Sequence, residues 1–309
     1  MKKTIRIGTR DSELALWQAN TVKSKLENLG YTAQLVPVKS EGDLVLDKPL
    51  YEMGITGIFT KTLDVAMITG KVDIAVHSMK DVPTQLPNGI VQTAVLERAS
   101  SKDILVTPTF SPQKDDIEWG KPCTIATGSL RRQAQWLHRY PNHNVVDLRG
   151  NVNTRLQKLD DNTWDGAIFA KAGLERINLL PKKFIDLSWM LPAPAQGAMV
   201  IVALENDGFS MEATSKLNDY SSEICTHIER EFLRTLEGGC TAPIGALAEI
   251  IGDGILFKGC LFSLDGQSKI EVERKILTSA YKGFGKECAT FILQNGGTEL
   301  MHSIKNQLK

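Results

Sequence analysis

The sequence predicts an α/β protein, with doubly wound, mostly parallel sheets followed by a small α+β unit built on an antiparallel sheet. Three observations predict this. Short β-branched runs alternate with helical patterns through the first hundred or so residues. The alternation restarts at about residue 124, and the pattern changes again at about residue 217.

In order, Thr4–Gly8 reads as a strand, Ser12–Gly30 as a helix with Gly30 just past its end, and Thr32–Val38 as a strand. Phe59–Thr69 has helical period, and Asp73–His77 is a short buried strand. Residues 100–120 carry Ser100-Ser101, Pro108 and Ser111-Pro112 and read as a crossover or boundary. Thr124–Thr127, Val145–Leu148 and Ala167–Ala170 are strands, with helices over Ser129–Tyr140 and Val152–Leu159 between them. Leu191–Gly197 is a Pro/Gly hinge, after which Met199–Leu204 returns as a strand to the first sheet. Glu223–Leu236 is one helical run. Strands follow at 244–250, 254–264 and 269–276, with Gly252-Asp253-Gly254 as a hairpin turn, and a last helix covers about Gly283–Gln294.

Composition narrows the function classes. The 309 residues are 42% hydrophobic and 23% charged, with zero formal net charge, so bulk attraction to nucleic acid or an anionic membrane is not implied. No apolar run approaches the ~18 residues of a membrane span. The start, MKKTIRIGTRDSELALW, lacks an apolar signal core, and the five cysteines (123, 225, 240, 260, 288) show no C-x-x-C pair. The expectation is a cytoplasmic protein with reduced thiols, no disulfide framework and no metal. G-x-G-x-x-G after the first strand and G-x-x-x-x-G-K-[ST] are both missing, so neither a dinucleotide fold nor a P-loop is supported.

The chemistry gathers at predicted strand ends, where open α/β sheets bind ligands. AVHSMKDVP (75–83) ends a buried strand in Ser78, Lys80 and Asp81, against the plainer reading of a solvated Lys-Asp loop. Thr127-Gly128-Ser129 opens a helix whose first turn carries Arg131 and Arg132. Two cations there oppose the helix dipole, which a bound anion would explain. Arg149 and Arg155 flank the next turn, and Arg10 and Arg176 occupy similar places. Arginine forks pair with carboxylates and phosphates, so this edge predicts a polyanion held between domains. Cys240 lies in LEGGCTAPIG (236–245), a loop suited to a nucleophile, a metal ligand or a covalent anchor. No histidine neighbours it.

IGTRDSELA (7–15), DIAVHSMKDVP (73–83), SLRRQ (129–133), LRGNVNTRL (148–156), Ala172–Ile177, Pro192–Gly197 and EGGC (237–240) recur together and in order. Jointly they resemble the porphobilinogen deaminase family, also called hydroxymethylbilane synthases, nearly end to end. The resemblance implies two periplasmic-binding-protein-like doubly wound domains plus a small α+β domain. We expect residues 1–98 with 198–216 in the first, 99–197 in the second and 217–309 in the third. It implies a dipyrromethane cofactor held by a thioether to Cys240, and head-to-tail addition of four porphobilinogen units with loss of ammonia at each. Hydrolysis then frees hydroxymethylbilane, passed to uroporphyrinogen III synthase on the way to haem. Asp81 matches the family's catalytic aspartate, which steadies the azafulvenium cation left when ammonia departs. Ser78, Lys80, Thr127, Ser129, Arg131, Arg132 and Arg155 match cofactor-binding positions. Arg10, Ser12, Gln18, Arg149, Arg155 and Arg176 match substrate-side positions. A monomer is expected, with no nucleic-acid or membrane partner. Three positions depart from the pattern. Thr56 replaces a common lysine, although Lys61 remains. Gly128 replaces a serine, removing a hydroxyl, and Ala195 replaces a hinge glycine. The competing reading is a non-catalytic two-lobed anion-binding protein, which would need neither Asp81 nor the Cys240 loop.

Overall fold

The computed structural model describes residues 3–39, 60–108, 120–236 and 242–308. Thr56 and Cys240 lie outside the described residues, as do most of the glycine-rich loop and the core of the Cys240 loop.

The first sheet takes β1 (Thr4–Thr9), β2 (Thr32–Pro37), β3 (Ile74–Ser78) and β4 (Ile90–Val95), flanked by α1 (Glu13–Asn28) and α2 (Lys61–Ile68). The second takes β5 (Asp103–Val106), β6 (Thr124–Ala126), β7 (Asn144–Val146), β8 (Gly166–Ala170) and β9 (Ile185–Asp186). Its helices are α3 (Leu130–Arg139), α4 (Val152–Asp161) and α5 (Lys171–Arg176). The chain then returns as β10 (Met199–Leu204) and α6 (Gly208–Ser215). The third unit comprises α7 (Tyr220–Thr235), β11 (Ile244–Ile251), β12 (Gly254–Phe262), β13 (Lys269–Leu277), α8 (Phe284–Ile292) and α9 (Thr298–Gln307).

The strand orders are β2-β1-β3-β10-β4, β7-β6-β8-β5-β9 and β11-β12-β13. In the first sheet β2, β1 and β3 are parallel, and β10 inserts antiparallel to both β3 and β4, pairing Val200 with His77. The second repeats the plan, with β7, β6 and β8 parallel and β5 antiparallel to β8. This order, three parallel strands and a reversed one arriving from a crossover, is that of a two-lobed, periplasmic-binding-protein-like fold. Each of these two sheets is covered on both faces by buried apolar residues. Ile5, Ile7 and Val76 face α1, and Ala75, Val200 and Val202 face α2. Such double burial explains why the strands read as continuous apolar runs.

The structure amends several sequence expectations. The stretch read as a boundary at 100–120 contains β5, buried at every position. β4, α6 and α9 had no counterpart in the sequence reading. The last helix does not end the fold. Beyond α8 the helical run breaks at Asn295 and Gly296, where Gly296 takes φ +97°, and the chain continues as α9. In the third unit α7, α8 and the sheet enclose Phe232, Phe257 and Phe284, whose rings meet edge to face at 5.1 and 6.1 Å.

Two hinge segments run side by side between the lobes. Leu96 N donates to Met199 O, and Ala99 N to Gly197 O. The backbones approach so closely that a Cβ on Gly197 would lie 2.5 Å from Ala99 O. Ala195, fully buried, sits at φ +62°, a left-handed conformation costly for a residue with a Cβ.

Candidate active site

The carboxyl ends of β1, β3, β7 and β8 open onto a cavity of about 260 Å³ between the two lobes. Among its described lining residues are Arg10, Ser12 and Glu13 from the β1–α1 turn, and Ser78, Lys80 and Asp81 beyond β3. The second lobe adds Arg132, Arg149, Asn153, Arg155 and Arg176. That places six cationic side chains against two carboxylates, Asp81 and Glu13. A side recess contains Gln18 and His77 with Arg10, Ser78 and Asp81. Gln18 Nε2 donates to Ser78 Oγ at 2.8 Å. Most of the sequence-predicted site residues therefore share one cleft. Thr127, Ser129 and Arg131 are not in its wall.

Asp81 owes its position to a single 3-10 turn, Met79–Asp81, that caps β3. Met79 anchors the turn in the core at 2% exposure, so the two following side chains face the cleft. From behind, Arg230 of α7 donates to Met79 O, to Val82 O at 2.9 Å and to Pro83 O at 2.6 Å. Sequence reading missed Arg230, because nothing local marks a helical arginine as the brace of a turn some 150 residues earlier.

Arg131 and Arg132 have a partner inside the protein. Arg131 Nη1 donates to Asp103 Oδ2 and Arg132 Nη2 to Asp103 Oδ1, each at 2.8 Å, with Asp103 fully buried. Arg131 Nη1 also reaches Leu191 O at 2.7 Å, while its buried Nε has no partner. The anion sought outside the chain to explain these arginines is thus supplied in part by Asp103 on β5. Burial alone would raise the Asp103 pKa, but the two guanidiniums outweigh it and hold the carboxyl well below the usual range. One carboxylate cannot neutralise two guanidiniums, so the cluster keeps a positive charge and Arg132 still faces the cavity.

The hinge residue Gln196 links this cluster to the other lobe. Its Nε2 donates to Asp103 Oδ1 at 2.9 Å, and its Oε1 accepts from Lys80 Nζ at 3.2 Å. Burial pulls the Lys80 pKa down to about 8 against the opposing pull of Asp81. Burial also lowers Arg155 to about 10, helped by Arg132 and Arg149, and lowers Arg176 to about 10. Cations crowded together and stripped of water favour an anionic ligand that would neutralise them. His77, expected to be packed, is buried with Nε2 unpartnered, and its pKa is driven by burial to about 4, so the ring is neutral.

Gly128 has a steric reason beyond the missing hydroxyl. A Cβ there would fall 2.6 Å from Leu148 O. A serine would need the β6 and β7 ends to move apart.

The donor set fits a polycarboxylate. Charge excess and burial both point that way, and no group of three or more His, Cys, Asp or Glu among the described residues is placed to hold a metal ion. A two-lobed α/β protein with an arginine-rich interlobe cleft and one carboxylate braced inside it is an anion-handling protein equipped for acid–base or electrostatic chemistry. The comparisons with known proteins make the class specific. Residues 5–212 match the family model described as porphobilinogen deaminase, dipyromethane cofactor binding domain, and residues 223–294 match the porphobilinogen deaminase C-terminal domain. A porphobilinogen deaminase of Campylobacter hominis is 40% identical over 96% of this chain and 97% of its own. One from Syntrophotalea carbinolica is 37% identical over 97% and 96%, and one from Campylobacter jejuni 39% over 98% and 99%. Among solved structures, the methionine binding protein MetQ covers 69% of this chain and 89% of its own, at 14% identity and a TM-score of 0.44. The chain belongs to the porphobilinogen deaminase family. Among the described residues no helix is long and apolar enough to cross a membrane.

Proposed function

We propose that this chain is a hydroxymethylbilane synthase, a transferase that joins four porphobilinogen units head to tail, releases ammonia at each addition and frees the product by hydrolysis. The observation that carries the reading is Asp81, a carboxylate in a cavity wall with six cations. The arginines suit the acetate and propionate groups that every pyrrole unit bears. Asp81 suits the opposite charge, left on the substrate when ammonia departs, and its braced turn supplies the preorganisation that such stabilisation requires. Family membership favours this over a non-catalytic anion binder.

The dipyrromethane, when bound, supplies a nucleophilic pyrrole carbon to which the first unit is joined. Cys240 would carry it by a thioether. Ser78, Lys80, Thr127, Ser129, Arg131, Arg132 and Arg155 would hold its carboxylates, while Arg10, Ser12, Gln18, Arg149, Arg155 and Arg176 orient the incoming substrate. We divide the chain into 1–98 with 198–216, 99–197 and 217–309, a division supported by the return of β10 to the first sheet. Buried thiols at Cys225, Cys260 and Cys288, none in a disulfide, support a reducing, cytoplasmic setting, and family membership supports a monomer that hands its product to uroporphyrinogen III synthase.

The test is ammonia release from porphobilinogen. The unaltered protein should turn it over, and Asp81→Ala should lose at least about a hundredfold in kcat, the usual scale for a preorganised electrostatic group, with circular dichroism unchanged. Retained turnover in the variant would remove Asp81 from this role.

A further inference from the structure

The charges in the cleft do not match the charges of the substrate unless one more residue is counted. Porphobilinogen carries two carboxylates and a primary aminomethyl group, protonated at neutral pH as a lysine is. A wall of arginines attracts the carboxylates and repels that ammonium. Only Asp81 and Glu13 are acidic among the described lining residues, and Asp81 is taken up by the reacting centre. Glu13 is exposed at the mouth, in the first turn of α1. Its Oε2 accepts from Asn153 Nδ2 of α4, on the opposite lobe, at 2.8 Å, which leaves Oε1 for a ligand. Beside it the two lobes meet again where the Arg176 guanidinium, held by a bond from Nη2 to Gly197 O at 2.7 Å, lies 5.7 Å from the Trp17 ring. The carboxylate is therefore held in place at the entrance rather than sweeping through solvent.

We propose that Glu13, tethered across the cleft by Asn153, receives the aminomethyl ammonium of the incoming substrate. Arginines and glutamate together then read both ends of the molecule, so that porphobilinogen enters with its carboxylates and amine already sorted. The helix dipole alone also favours an acidic residue in a first turn, but it does not require an amide from the other lobe to hold that residue over the cavity. The inference rests on porphobilinogen being the substrate.

Two ligands separate the possibilities. One is porphobilinogen, and the other is its analogue with a methyl group in place of the aminomethyl group, an inhibitor that keeps both carboxylates. Glu13→Gln should raise KM for porphobilinogen about three- to fivefold, the size of a largely exposed ion pair, and leave Ki of the analogue within about 1.5-fold. Asn153→Ala, which removes the tether but keeps the charge, should weaken porphobilinogen less than Glu13→Gln does. Equal effects of Glu13→Gln on both ligands would make the pair a simple interlobe latch, and no effect on either would make it surface decoration. Both results overturn the proposal while ammonia release by the unaltered enzyme leaves the functional reading standing. Absence of that release would overturn both.

Discussion

Lys80 is the shifted cleft cation whose pKa comes nearest to neutral pH. Burial lowers its pKa to about 8, Asp81 and Asp103 pull upward, and Arg132 and Arg131 push down. Below that value the ammonium is present, and above it the charge is lost, so affinity for a carboxylate ligand falls as pH rises through about 8. The cofactor carboxylates that Lys80 would hold then lose a counter-charge, so kcat for ammonia release should fall between pH 7 and pH 9 in the unaltered enzyme. Lys80→Arg should flatten the fall, because a guanidinium stays charged. An identical slope in both proteins would remove Lys80 from ligand binding. Lys80, Asp81 and the arginines were legible in the sequence because each follows a recognisable strand. Asp103 was not. It lies 28 residues before Arg131 in a stretch whose serines and prolines hide a four-residue strand, and its role appears only when β5 pairs with β8.

Among the helices, α7 binds the pieces together. Its Glu229, fully buried, accepts from Arg98 Nη1 at 2.6 Å and Nη2 at 3.0 Å, from Ala195 N at 2.6 Å and from Ala248 N at 2.8 Å. One carboxylate thus joins both hinge segments to β11. Glu229→Gln would leave Arg98 buried and short of its counter-charge, and should destabilise the protein by about 3 kcal/mol, read from urea unfolding. A loss under about 1 kcal/mol would show the hub to be dispensable. Elements were legible to different degrees for physical reasons. β1, β3, β6, β8 and β10 are buried on both faces and stand out as apolar β-branched runs, whereas β4 is interrupted by exposed Gln92 and half-buried Thr93. α9 was lost because Gly296-Gly297 reads as an end, although the chain merely bends there. Gln196 was visible in the hinge motif but read only as hinge. Its amide does the bridging.

At the scale of the whole molecule, we propose that the third unit contributes, besides the Arg230 brace, the anchoring cysteine. Burial raises the thiol pKa values of Cys225 and Cys288 to about 11 and of Cys260 to about 12, so these three are poor nucleophiles at neutral pH. Intact-protein mass should exceed that of the bare chain by two linked pyrrole units, and Cys240→Ser should lose the excess. A bare-chain mass in active enzyme would sink the covalent anchor. The same unit reaches the second lobe through Cys260, Phe262 and Ala134 and through His138 Nδ1 against Gly266 O at 2.7 Å, so the anchor's domain is not a loose appendage.

The place of β10 has a consequence for how the protein is made. Residues 199–204 lie between β3 and β4, so a ribosome that has delivered all five strands of the second sheet has still not delivered the strand that joins the two halves of the first. The lobe that begins first is completed later, and until residue 204 emerges the edges of β3 and β4 stand open beside a finished neighbour, the interval in which a nascent chain is most exposed to wrong pairing.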